Sequence, residues 1–219
     1  MELGILGILL SLFILVYSAI LHEIAHGFVA ERLGDPTAKL MGRLTLNPIP
    51  HIDLFMTILL PLLLLISGSP VIFGGAKPVP VDSFNLRDGR KDMALVSLAG
   101  PGTNIALAIL ASAGVRLLLL LGIATLTHNF FLALFFHFLT LTVQINILLA
   151  IFNLLPIPPL DGSKIFSLLL PEDMARAYLS LGQFGIVILL LLLYFPIGGF
   201  SLGGLMFQLL QFTQHLLLP

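Results

Sequence analysis

The strongest constraint on the fold of this chain is a series of apolar runs, several of them long enough to cross a lipid bilayer. Its 219 residues are 58% hydrophobic and only 10% charged, whereas ordinary soluble domains contain about 25% charged residues. Only helices or closed barrels satisfy backbone polar groups inside a hydrocarbon core. Because runs such as Ile186–Phe195 are unbroken rather than alternating, the sequence predicts an all-α multi-pass membrane protein.

The apolar runs that approach the roughly 20 residues needed for a membrane helix define the predicted architecture. With one shorter run, Ile52–Ser67, they predict about five to six transmembrane helices. We expect a single membrane-embedded domain over residues 1–219, with a core at 3–165 and C-terminal helices at 172–217. The longer runs are Leu3–Leu33, Met93–Val115, Phe130–Asn153, Arg176–Phe195 and Phe200–Leu217.

The run Ile52–Ser67 is too short for a simple span, since about 16 residues at 1.5 Å each reach roughly 24 Å, and Pro61 interrupts it. If this run dips into the bilayer and returns, nine of the ten Lys and Arg residues lie on one side, leaving only Arg116 near the other. Cytoplasmic loops collect Lys and Arg. The charge pattern therefore predicts a re-entrant segment in a protein of the cell (inner) membrane, with the loops Asp35–Pro50 and Gly74–Asp92 facing the cytoplasm.

Two short segments are candidates for a small β element at the cytoplasmic rim. Ala38–Leu46 and Ala76–Val81 both contain Gly or Pro and are short enough for edge strands. Pro78 and Pro80 leave alternate residues of the second segment without an N–H, which suits an edge position. A plain loop is the equally weighted alternative for both segments.

The charge balance and the lack of cysteine exclude several classes of function. A net charge of −1 provides no basic stripe that could neutralise phosphates, so the sequence indicates no nucleic-acid partner. No cysteine is present, which excludes thiolate catalysis, disulfides and Cys-type zinc sites. The N-terminal sequence MELGILGILLSLFILV has neither the positive region nor the cleavage site of a signal peptide, and predicts a retained membrane helix.

The first apolar run contains the segment His22-Glu23-Ile24-Ala25-His26. Two histidines spaced i and i+4 lie one helical turn apart, where both can bind one zinc ion, and Glu23 beside them can act as general base. Zinc lowers the pKa of a bound water to about 7 and thereby supplies a nucleophile for attack on a carbonyl. Because ionisable groups at membrane depth are costly, this placement indicates function rather than coincidence.

A catalytic zinc needs a third protein ligand, and Asp161 is the best candidate. It follows a turn rich in proline that ends the run Phe130–Asn153, and Gly162 after it permits close backbone approach. An N-cap role for Asp161 is the more ordinary alternative, and the two roles are compatible. Four other histidines compete for the third position but lie at segment ends, in a loop or in the outer half of a span: His51, His128, His137 and His215.

A face of small residues in the second long run predicts close approach of a neighbouring helix. Asn104 on this face would point its amide into the helix bundle, where an interhelical hydrogen bond and a contact with substrate are equally plausible. Asn146 on the next run is interpreted as structural. The face consists of Ser97, Gly100, Pro101, Asn104, Ala108 and Ala111.

Three motifs together resemble a known family. HEIAHG, AGPGTN (Ala99–Asn104) and NLLPIPPLDG (Asn153–Gly162), in this order within apolar segments, are similar to the motifs of site-2 proteases, which are intramembrane zinc metalloproteases. The resemblance extends over residues 22–164 and includes LGDPTAKLMGRLTLNP and FGGAKPVPVD. Many larger bacterial members carry a PDZ domain, and this sequence resembles the minimal form without one.

The resemblance implies roles for particular residues. It implies that His22, His26 and Asp161 bind zinc, that Glu23 is the catalytic glutamate, and that Asn153 stabilises the oxyanion. The implied activity is cleavage of transmembrane or membrane-proximal segments of substrate proteins, with the lipid bilayer as the surroundings and the active site nearer the cytoplasm.

Two other functions remain open at the level of sequence. A zinc-binding membrane transporter would need ligands but no adjacent base, and it would need polar residues along a whole pathway, whereas the outer halves of these helices are nearly pure hydrocarbon. A non-catalytic membrane binding protein is disfavoured because every residue of the three motifs is retained.

Overall fold

The computed structural model describes residues 4–59, 62–63, 66, 75–120, 122, 129–195, 198–199 and 201–218, and these residues are helical or irregular, without a β-strand. Three helices, Gly4–Leu33, Gly89–Leu120 and Phe130–Leu154, are long and apolar enough to cross a membrane by length and composition. The helices are α1 (Gly4–Leu33), α2 (Thr37–Leu40), α3 (Gly89–Leu120), α4 (Phe130–Leu154), α5 (Asp161–Phe166), α6 (Glu172–Ser180), α7 (Gly185–Tyr194) and α8 (Leu202–Leu217).

The first three predicted spans are confirmed as helices α1, α3 and α4, although α3 begins before Met93 and ends after Val115. Each is rich in Leu and other apolar residues, and α3 accommodates Pro101 within its length. The side chain of Asn129 accepts hydrogen bonds from the backbone N–H groups of Phe131 and Leu132 and so caps the start of α4.

The C-terminal part differs from the prediction. The run Arg176–Phe195 is bent by 78° between Glu172–Phe184 and Val187–Leu193, so the described residues contain three candidate spans, or four if this pair counts as one. At the bend, a side chain on Gly185 would collide with Pro159, so the bend lies where the helix meets the proline-rich turn. Helix α8 has only 16 residues, fewer than a span requires. The five to six predicted spans are therefore not found in the described part of the chain.

The predicted strand Ala38–Leu46 is wrong, because it begins inside the short helix α2 (Thr37–Leu40). Asp35 Oδ1 accepts a hydrogen bond from the backbone N–H of Thr37 at 3.1 Å, and Pro36 fixes the backbone at the helix start. These local preferences outweigh the extended pattern. Ala76–Val81 is irregular and does not form a strand, and the predicted β element is therefore not found among the described residues.

The described residues around the start of the predicted re-entrant segment are joined by hydrogen bonds to residues that follow it. The carbonyl of His51 accepts a hydrogen bond from Lys77 N–H at 2.8 Å, and Thr57 Oγ1 donates to the carbonyl of Gly75 at 2.7 Å. A π-helical turn covers Leu54–Leu59. Much of the remainder of Ile52–Ser67 lies outside the described residues.

Helix α3 lies between α1 and α4 and brings their polar residues together. Its predicted small-residue face is buried throughout, which confirms that the face permits close packing. Further along, α3 and α4 pack through a purely apolar cluster of Ala108, Ala111, Val115, Leu139, Val143 and Ile147. The helix pair therefore has a polar half and an apolar half.

Candidate metal centre

His22, His26 and Asp161 converge on one point. The Nε2 atoms of the two histidines are 3.0 Å apart, and each lies 3.2 Å from Asp161 Oδ2. The three residues are 6%, 8% and 7% exposed, respectively. In the described part of the chain, they form the cluster of His, Asp and Glu side chains able to hold a metal ion.

Asp161 reaches this cluster because the chain folds back tightly after α4. A side chain on Gly162 would collide with the backbone carbonyl of Leu154, so only glycine permits this close approach. Asp161 is the first residue of α5 and does not act as its N-cap, since Leu160 occupies that position. Its second oxygen, Oδ1, accepts a hydrogen bond from Lys164 Nζ at 3.3 Å.

Both histidine rings are oriented by hydrogen bonds at Nδ1. His22 Nδ1 lies 2.6 Å from Asn104 Oδ1, and His26 Nδ1 lies 2.7 Å from the carbonyl of Val96. Because both partners are oxygen acceptors, each Nδ1 carries the hydrogen and each Nε2 presents a lone pair. Two imidazole lone pairs and a carboxylate oxygen therefore face one another.

This donor set fits zinc. Tetrahedral ligands about 2.0–2.1 Å from zinc lie roughly 3.3 Å apart, close to the observed separations of 3.0 and 3.2 Å. Three electron-pair donors at such short separations repel one another unless a cation lies between them. The backbone leaves the space for these rings at Gly100, where a Cβ would lie 2.5 Å from both Nε2 atoms.

Glu23, the predicted general base, lies beside the cluster on α1 and is partly buried. Its Oε2 accepts a hydrogen bond from the backbone N–H of Val79 at 2.7 Å. Val79 belongs to the irregular segment Ala76–Val81, here called the strap. Pro78 and Pro80 have no N–H, so among these three residues only Val79 can donate to Glu23.

Polar contacts hold the strap on both sides of Val79. Arg43 Nη2 donates to the carbonyls of Lys77 and Pro78 at 2.8 and 3.3 Å, and Asp35 Oδ2 accepts from the N–H of Asp82 at 2.7 Å. Burial disfavours the ionised Asp35 carboxyl, but hydrogen bonds from neighbouring groups outweigh this cost and hold its pKa below 3.8. Asp35 is therefore a stable anchor next to the strap.

The remaining predicted residues are placed as follows. Asn153, the predicted oxyanion donor, uses its amide Nδ2 to donate to the carbonyl of Leu149 at 2.9 Å, and its catalytic role stays a prediction. His51 is buried, with Nε2 3.0 Å from the carbonyl of Thr45. His128 lies outside the described residues. Among the residues that the structure describes, Asp161 thus takes the third position of the cluster.

The sequence analysis named Asn104 and Asn146 but did not connect them to His22 or to Ser18. Asn104 Nδ2 donates to Asn146 Oδ1 at 2.9 Å, and Asn146 Nδ2 donates to Ser18 Oγ at 2.9 Å. Of the two roles left open for Asn104, the interhelical hydrogen bond is present, and the amide also orients His22. The available signal was Ser18, which lies one helical turn before His22 on the same face.

Comparison with known proteins identifies relatives of this chain. The model of Peptidase family M50 matches residues 119–193. The chain is 40% identical over 191 residues to "Putative zinc metalloprotease YwhC" of Bacillus subtilis, covering 86% of this chain and 81% of the relative. It is 36% identical over 186 residues to "Putative zinc metalloprotease Rip2" of Mycobacterium tuberculosis, covering 82% of this chain and 64% of the relative. No solved structure matches.

These relatives agree with the geometry of the site. Zinc is the metal that the family implies, and the cluster of two histidines and one aspartate offers it a suitable donor set. The three long apolar helices, taken with the family, indicate an integral membrane protein. The chain belongs to peptidase family M50 and is a zinc metalloprotease.

Proposed function

We propose that this protein is an intramembrane zinc endopeptidase that hydrolyses peptide bonds in, or next to, the transmembrane segments of substrate proteins. The observation that carries the proposal is the position of Glu23 and both candidate histidine ligands on α1, a helix long and apolar enough to span a bilayer. A soluble substrate would have to enter the bilayer to reach such a site, whereas a membrane-embedded peptide already lies at the same depth.

The proposed depth follows from helix geometry. His22 lies about 10 residues before the end of α1, which corresponds to roughly 15 Å. With the Lys- and Arg-rich loops on the cytoplasmic side of the inner membrane, the active site lies within the bilayer but nearer the cytoplasm. The hydrogen bond between His51 and Lys77 supports this orientation, because it returns the chain to the side from which it departed.

In the proposed mechanism, zinc, Glu23 and Asn153 have separate roles. Bound zinc would polarise the scissile carbonyl and acidify a water molecule. Glu23 would accept the proton of the attacking water and deliver it to the departing amine, with Val79 N–H fixing the position of its carboxylate. Asn153 would donate a hydrogen bond from its amide N–H to the developing oxyanion after releasing the carbonyl of Leu149.

Substrate capture is proposed at the strap. A peptide bond inside a helix is shielded until the helix unwinds, and an unwound segment can bind along an extended chain through its backbone groups. The strap donates a hydrogen bond to Glu23 through Val79, so a substrate aligned with the strap would lie next to the base. The alternative is that Pro78 and Pro80 only stiffen a loop.

Two proline substitutions separate these possibilities. Val79→Pro removes the donor to Glu23 and should lower kcat with zinc content unchanged. Val81→Pro leaves that donor in place and should raise KM if substrate pairs with the strap. Unchanged kinetics in Val81→Pro would eliminate the strap as the capture surface.

The proposed activity is tested by co-expression with candidate single-span membrane proteins. A substrate fragment should appear with the wild type and disappear with Glu23→Gln, which keeps the shape of the side chain but removes the base. Glu31→Gln, on the same helix, is the matched control and should preserve cleavage, since Glu31 pairs with Lys39 at the surface. Cleavage that persists in Glu23→Gln would refute the assigned mechanism.

A further inference from the structure

We propose that Asn146 is a positioning residue for the candidate zinc ligand His22 and acts on it through Asn104. This inference rests on the zinc site proposed above. A series of three hydrogen bonds runs from the backbone of α4 to the ring of His22. Asn146 Nδ2 donates to the carbonyl of Thr142 at 2.9 Å, Asn104 Nδ2 donates to Asn146 Oδ1 at 2.9 Å, and His22 Nδ1 lies 2.6 Å from Asn104 Oδ1.

The donor and acceptor roles in this series of hydrogen bonds are fixed at Thr142. The backbone carbonyl of Thr142 can only accept a hydrogen bond, so the part of the Asn146 amide that faces it must be the NH₂ group. The carbonyl of Asn146 then faces Asn104 and requires the NH₂ of Asn104. The remaining group of Asn104 is its carbonyl, which faces His22.

The consequence for His22 is a defined tautomer. Because Asn104 presents an acceptor, His22 Nδ1 must carry the hydrogen, and Nε2 presents its lone pair to the cluster. Without Asn146, the amide of Asn104 could rotate by 180° and present its NH₂ group instead. The hydrogen of His22 would then move to Nε2 and point at the position where a metal binds.

The two histidines differ in their need for such an anchor. His26 Nδ1 bonds directly to the backbone carbonyl of Val96, an acceptor that cannot reverse. His22 depends on an amide side chain, which is nearly symmetric in shape and can reverse. Only the hydrogen bond to His22 therefore requires a further residue, because the orientation of the Asn104 amide must be fixed. Asn146 is that residue.

The hydrogen bonds from Asn146 through Asn104 to His22 are shielded from water. Asn104 and Asn146 have no exposed surface, and Ser18 is only 4% exposed, so water cannot readily replace a missing partner. Ser18 Oγ accepts a second hydrogen bond from Asn146 Nδ2 at 2.9 Å. A hydroxyl both donates and accepts, so Ser18 strengthens the arrangement without fixing its direction.

The test measures zinc affinity by chelator competition on the purified full-length protein. Asn146→Leu removes the acceptor for Asn104 and should weaken zinc binding about tenfold, at the lower end of the effect seen for groups behind metal ligands. Asn146→Asp keeps an acceptor toward Asn104 and should bind within about threefold of wild type. If Asn146→Leu does not fold, Asn146→Ala makes the same comparison.

Ser112→Ala is the matched control, because Ser112 is also a buried side chain that makes a hydrogen bond between helices, to the carbonyl of Leu217, away from the cluster. It should change stability but not zinc affinity. Wild-type affinity in Asn146→Leu, or equal weakening in Asn146→Leu and Asn146→Asp, would overturn the positioning role. A wild type that binds no zinc would overturn the zinc site itself, and the inference with it.

Discussion

The two halves of the α3–α4 contact use the same helix pair in different ways. In one half, Asn104 and Asn146 meet through a buried hydrogen bond that continues to His22. In the other half, beginning at Ala108 and Ile147, the contact is a cluster of apolar side chains. Polar groups thus occur where a ligand must be oriented, and are replaced by hydrocarbon within one helical turn.

This difference separates function from stability within one interface. Buried polar groups inside apolar surroundings carry a desolvation cost and are retained where they have a specific task. The apolar half stabilises the helix pair by close packing alone. Substitutions in the polar half should therefore change zinc binding and catalysis, and those in the apolar half should change stability.

The largest effect is expected at the cluster itself. Asp161→Ala leaves two imidazoles for the metal and should reduce the zinc content of purified protein well below one per chain and abolish proteolysis, because a catalytic zinc needs three protein ligands. Elemental analysis provides the measurement, with the exposed Asp88→Ala as the control. Full occupancy in Asp161→Ala would mean that another residue, such as His51, is the ligand.

A second large effect is expected from the backbone that supports the rings. Gly100→Ala would place a Cβ 2.5 Å from the Nε2 atoms of both His22 and His26, so the rings must shift and zinc affinity should fall at least tenfold. Gly102→Ala on the same helix meets nothing within 4 Å and is the matched control. Equal zinc affinity of the two variants would contradict the described ring positions.

A polar anchor outside the helix pair should affect stability in a pH-dependent way. The folded-state pKa of Asp35 is lowered, so its stabilisation is fully present above the unfolded value near 3.8 and is lost as the pH falls toward the folded-state pKa. The zinc-free wild type should lose thermal stability in this range, and Asp35→Asn should lose less. Asp88→Asn serves as the control, and parallel pH profiles for wild type and Asp35→Asn would refute the anchor.

The smallest effect is expected in the apolar half. Ile147→Val deletes one methylene from the cluster with Val143 and Leu139 and should lower the free energy of unfolding by about 0.5–1.5 kcal/mol. Zinc affinity and cleavage should remain unchanged, although Ile147 is adjacent to Asn146. Thermal denaturation in detergent measures the first quantity, and an altered zinc affinity would show that the two halves are not separable.

The sequence predicted those features that depend on local spacing. His22 and His26 share a helix face because of their i, i+4 spacing, and the small residues of α3 lie on one face for the same reason. The return of Asp161 was foreseen from the prolines and Gly162 that follow α4. In each case a few neighbouring residues determine the geometry.

Features set by distant contacts were not predictable in the same way. The hydrogen bond from Val79 to Glu23 joins residues far apart in the chain, and it depends on how the strap packs against α1. The helix at Thr37–Leu40 forms because the Asp35 side chain competes with extended structure. The bend in 172–195 reflects the fit of Gly185 against Pro159, which no local pattern encodes.

The most direct test of the central claim is zinc K-edge X-ray absorption on the purified wild-type protein. The account predicts one zinc per chain with two imidazole nitrogens and light oxygen ligands at about 2.0–2.2 Å. His22→Ala should lower the zinc content, and the zinc that it retains should show one imidazole fewer in the spectrum. A zinc without histidine ligands, or a spectrum unchanged in His22→Ala, would contradict the assignment of the centre to His22, His26 and Asp161.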